Sequence, residues 1–124
     1  MDLSPHRGLI AWQLANQYKK AVYALVRRPP AALDRAFAEH LRRTAVSIEL
    51  NIVEGAHRPG ARDFARFLAI ARGSLAEAEA QIDDGLDRGH FIAADLTAVR
   101  ALARRAGAAI DGLRRAVLRR AGGN

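Results

Sequence analysis

The chain has 124 residues, with 20 Lys or Arg against 13 Asp or Glu and a net charge of +7 with histidine neutral. That length suits one domain over residues 1–124, and a hydrophobic half excludes a disordered chain. There is no cysteine, which excludes disulfides, thiolate metal sites and a cysteine nucleophile and suits a reducing compartment. Met1-Asp2-Leu3-Ser4-Pro5-His6-Arg7 has no apolar signal core, and no run approaches membrane-spanning length, so a soluble cytoplasmic protein is expected. Much Ala and Arg with only 6% aromatic residues favours helices over sheets.

The first helix is expected from about residue 8 to 27, with Ile10, Leu14, Tyr18, Ala21 and Leu25 recurring at spacings of three and four. Pro29 and Pro30 end it, because proline lacks the amide and crowds the preceding turn. The second is expected over 31–54, burying Leu33, Phe37, Leu41, Thr44, Ile48 and Ile52, with Gly55 as a left-handed cap. His57, Arg58, Pro59 and Gly60 read as a loop. The third is expected over 61–88, where Phe64, Leu68, Ala71, Leu75, Ala78 and Ile82 form a heptad seam that Gly89 stops. The fourth is expected over 93–120, with Leu96, Val99, Ala103, Ala106, Ile110, Leu113 and Val117 inward and a fraying tail from Ala121 to Asn124. Four amphipathic helices with short connections predict an all-α, antiparallel up-down-up-down four-helix bundle.

Charge is segregated along this pattern. The fourth helix carries Arg100, Arg104, Arg105, Arg114, Arg115, Arg119 and Arg120, all off the seam and expected to face outward. Arg35, His40, Arg42 and Arg43 join from the second helix, and His57, Arg58, Arg62 and Arg66 from the loop and third helix. Acid gathers late in the third helix, at Glu77, Glu79, Asp83, Asp84 and Asp87. A segregated basic face favours a polyanion, whereas a solvated face would need no partner. No aromatic residues interleave with the arginines, so phosphate and shape contacts are expected rather than base stacking.

Ala69, Gly73, Ala76 and Ala80 form a second stripe on the third helix, away from its seam. A helical Gly costs roughly 1 kcal/mol relative to Ala, and close approach of another helix, here another subunit, is the usual offset. The four histidines are scattered, and Asp87 with His90 makes at most half of one di-metal motif, broken by Gly89. No phosphate loop, nucleophile elbow or zinc motif occurs. The expectation is a protein without metal, cofactor or catalytic residues. Asn51 falls on the heptad seam three residues after Ile48, where a buried Asn fixes register rather than catalysing. Glu54, with Arg43 and Arg72 as partners, is expected to join it in a structural polar network.

Residues 41–55 read LRRTAVSIELNIVEG, and residues 64–81 read FARFLAIARGSLAEAEAQ. These resemble the signatures LRRAAxSIxxNIAEG and FxxFLxIAxGSLxELExQ of the bacterial four-helix-bundle proteins encoded by ribosomal-RNA intervening sequences. Leu9, Trp12, Gln13, Tyr23 and Pro29 are similar to that family's opening helix. Thr44 stands where the family prefers Ala, Glu49-Leu50 where it prefers Pro-Ser, and Ala78 where Leu is usual. The resemblance implies a homopentameric ring. It also implies kinship with the accessory variability determinant of diversity-generating retroelements, a basic pentamer that binds nucleic acid beside a reverse transcriptase. Together these readings point to a non-catalytic, oligomeric nucleic-acid-binding scaffold. A protein-interaction module without nucleic acid is the rival, and membrane binding stands third because the bundle uses all four helices.

Overall fold

The structure, a computed structural model, describes residues 5–122 and contains no strand among them. Its helices are α1 (Ile10–Val26), α2 (Arg35–Ala56), α3 (Ala61–Asp87) and α4 (Thr97–Gly122), with 3-10 turns at Pro5–Gly8, Ala31–Leu33 and Ala93–Leu96. The residues of the expected signal-free start before Pro5, and Gly123 and Asn124 of the expected fraying tail, lie outside the described residues. Ala121 and Gly122 continue α4 rather than fraying.

Each helix packs on two neighbours, α1 and α3 each touching both α2 and α4. The four therefore close around one core, in which Leu41, Ile48, Ile52, Leu68, Ile82 and Ile110 are fully covered. Each such Leu or Ile contributes about 1.5–3 kcal/mol by leaving water. The seam expected on α3 is buried from Leu68 to Ile82, with Phe64 half-buried at its start, and on α4 only Leu113 is half-buried.

Three expectations need correction. On α1 the buried stripe is Ala11, Leu14, Ala15, Tyr18, Val22 and Val26, and Ile10 is 63% exposed. Ala11 and Ala15 let α1 approach its neighbours, and that rotation turns Ile10 to solvent. The second helix begins after Asp34, whose carboxylate accepts from the Phe37 amide at 3.3 Å as an N-cap, leaving Leu33 outside the helix and 79% exposed.

Gly55 is no left-handed cap. It lies within α2, and a Cβ there would sit 2.8 Å from Phe64 Cδ1 and 2.9 Å from Phe67 Cβ, so its bare backbone admits the first turns of α3. Gly85 plays the same part at the far end of α3, where a Cβ would fall 2.5 Å from the Phe91 ring and 2.6 Å from Phe37. The left-handed glycine is Gly89, at φ +80, with His90 N bonded to Gly85 O and Gly89 N to Leu86 O in a full Schellman closure of α3.

Candidate nucleic-acid interface

The arginines of α4 divide by environment. Arg100 is half-buried and does not project into solvent as expected: it donates to Asp83 at 2.8 Å and lies 3.6 Å from Glu79. Arg114 is exposed, but its Nε donates to the Ala65 carbonyl of α3 at 3.3 Å. Arg104, Arg105, Arg115 and Arg119 are exposed and make no ion pair or hydrogen bond with the described residues. Arg120 is exposed beside Val117 and Phe64, facing Arg58 across a cavity of about 290 Å³.

With 3.6 residues per turn, Arg104, Arg115, Arg119 and Arg105 fall within about 100° of the helix surface. Between them lie Ala108 and Gly112, and the nearest acid, Asp111, is half-exposed and paired with Arg72 of α3 at 3.2 Å. The outer face of α4 is thus cationic and small. The half of α4 beyond Arg104 runs beside the start of α3, where Arg62 is exposed and unpaired and Arg66 is exposed. Arg58 and Arg66 both stack on Phe67, at 5.0 and 4.5 Å from its ring centroid, and both pair with Asp63. Excess positive charge therefore concentrates at the α2–α3 corner, while late α3 turns its acids on Arg88 and Arg100.

The expected polar network of Arg43, Asn51, Glu54 and Arg72 does not form. Glu54 pairs with Arg58 at 2.8 Å, Arg43 reaches Glu39 at 3.8 Å, and Asn51 donates to the Ser47 carbonyl of its own helix at 2.7 Å. Arg72 turns to α4, its guanidinium 3.2 Å from where a Cβ on Gly107 would lie. Partners four residues away in sequence win over Arg72 for Glu54 and Arg43. Ala69, Gly73, Ala76 and Ala80 are all exposed, and nothing stands within 4 Å of a Cβ placed on Gly73. Ala76 and Ala80 line a groove of about 380 Å³ with Ala103 and Arg104 of α4.

Two clusters lie outside those expectations. The Tyr18 hydroxyl, wholly buried, donates to Glu79 at 2.7 Å across the core, tying α1 to the Arg100–Asp83 pair. Burial, and then the negative charge of Glu79, push this phenol far above its usual range. At the C-terminal end of α3, Asp34 accepts from His90 Nε2 at 2.8 Å and from Arg88 at 3.0 Å while capping α2. The His90 hydrogen bond is the main cause holding its carboxyl below the usual carboxylate range. An Asp three residues before the first buried aromatic of α2 is the available sign of the cap; His90 pairs across 56 positions and leaves no local sign. The Asp87–His90 spacing is not used, and the described residues bring no three His, Asp or Glu side chains together as a metal-ligand group. No described helix is long and apolar enough to cross a membrane.

An all-helical four-helix fold with a basic fourth helix defines the class. Residues 7–112 match the model of the 23S rRNA-intervening sequence protein family, and the chain belongs to that family. No curated protein matches the chain.

Proposed function

We propose that the protein is a non-catalytic, oligomeric scaffold that binds structured RNA or DNA through phosphate contacts. The observation carrying this is the outer face of α4, where four exposed arginines stand without an acidic partner among the described residues. The family's name, which ties it to 23S ribosomal RNA, agrees with it. A reverse transcriptase or other nucleic-acid enzyme is the partner that the retroelement kinship suggests, and the cytoplasm is where such a partner would be met.

The bundle is read as antiparallel up-down-up-down. Gly55 of α2 meeting Phe64 of α3, and Phe37 of α2 meeting Gly85 of α3, support that reading. The assembly is read as a homopentameric ring, in which the uncovered Ala69, Gly73, Ala76 and Ala80 receive a neighbouring subunit. Five copies at +7 each carry about +35, a field able to capture polyanions beyond contact range.

Binding is tested by anisotropy of labelled RNA and DNA across a salt series. Affinity falls with a log–log slope of roughly 0.9 per phosphate contacted on duplex DNA. The variant with Arg105, Arg115 and Arg119 all changed to Glu loses binding while keeping its helicity and oligomer size. Unchanged binding by that variant, or none by the parent at low salt, leaves the protein-interaction reading in its place.

A further inference from the structure

The unpaired arginines of α4 are not spread evenly. Arg104 and Arg105 form one pair, and Arg115 and Arg119 a second, one turn apart from each other. At 1.5 Å of rise per residue, Arg104 lies about 16 Å from Arg115 and Arg105 about 21 Å from Arg119 along the axis. Between the pairs the arc spanned by these arginines carries Ala108 and Gly112, which hold nothing away from the helix backbone, with Asp111 at its edge held by Arg72 of α3. Arg115 bends its guanidinium along this smooth stretch, within 3.8 Å of where a Cβ on Gly112 would be. No aromatic residue occurs anywhere in α4.

We infer that this face binds double-helical nucleic acid specifically, with α4 laid across a groove and each arginine pair on one of the two phosphate rows that border it. The inference rests on the nucleic-acid reading above and names the form that is bound. A single strand offers one phosphate row and bases that need aromatic platforms, and α4 has none to give. A duplex offers two rows with a groove between them, about 12 Å across in the major groove of B-DNA and wide and shallow in the minor groove of A-form RNA. Arginines about 16 to 21 Å apart along the axis bracket a gap of that size. The small residues between them let the helix settle against the groove, so both pairs engage together. Arg62 is exposed at the start of α3, which α4 meets where Arg114 bonds the Ala65 carbonyl.

The test uses the full chain with duplexes of about 20 base pairs, of DNA and of RNA, and with each of their separate strands at one salt concentration. At least one duplex binds about tenfold or more tightly than its own strands. Ala108→Phe fills the smooth stretch without changing charge: it weakens duplex binding about tenfold and leaves single-strand binding unchanged or tighter, since it adds a stacking ring. Helicity and oligomer size of the variant are measured alongside. Strands bound as tightly as duplexes by the parent, or an Ala108→Phe variant that loses both forms equally while folded, overturn the inference and leave general phosphate binding standing. If neither form binds the parent at low salt, the nucleic-acid reading itself fails.

Discussion

Tyr18 is the residue whose chemistry is most altered by the fold. Its phenol is wholly buried and donates to Glu79, so the neutral form is strongly preferred in the folded chain. Below about pH 10 the unfolded chain also keeps this proton, and the preference contributes its full share to stability. Above that pH the unfolded chain ionises and the folded chain resists, so stability declines as pH climbs. Tyr18→Phe removes a hydrogen bond to a charged acceptor and costs about 1–3 kcal/mol near neutral pH. The same variant flattens the alkaline decline, which urea unfolding at neutral and alkaline pH measures for both proteins. An equally steep decline in the variant would assign that loss to other groups. Nothing in the spacing of Tyr18 announced this role, because Glu79 is 61 positions away and read as part of an acidic surface.

At the scale of the helices, glycines of one sequence type carry opposite energies. Gly73 sits in helix with open space around it, so Gly73→Ala raises monomer stability by about 0.5–1 kcal/mol through backbone entropy alone. Gly85→Ala drives a Cβ between the rings of Phe37 and Phe91 and costs on the order of 1–3 kcal/mol. Thermal or urea unfolding of the two variants reads both signs, and a stabilising Gly85→Ala would refute the packing described. The sequence could show that these positions are glycine but not which ones face a neighbour. Periodicity located all four helices, since a stripe such as Leu68, Ala71, Leu75, Ala78 and Ile82 repeats locally. It misplaced Ile10 and Leu33, whose positions depend on how closely Ala11 admits another helix and on the cap made by Asp34. Likewise the outward direction of Arg104 and Arg115 was legible from their distance to the seam. The capture of Arg100 by Glu79 and Asp83 was not, because it depends on which acids α3 brings alongside.

For the whole molecule, assembly and charge are one question. If subunits meet along Ala69, Gly73, Ala76 and Ala80, Gly73→Leu dissociates the oligomer while leaving helicity intact, and light scattering coupled to size exclusion reports the change in subunit number. A parent that is a clean monomer at micromolar concentration would end the ring model. The basic corner depends on where α3 begins relative to the end of α2, and that placement traces back to two glycines. Near Gly55 a Phe64 ring seats against α2, and at the other end of the pair Phe37 of α2 seats against Gly85. Sliding α3 by one turn, about 5.4 Å, would carry each ring onto side chains such as Ile52 or Ile82 at both ends simultaneously. The two sockets therefore act as a keyed joint: the helices mate at one offset only, and a half-seated pair gains neither end.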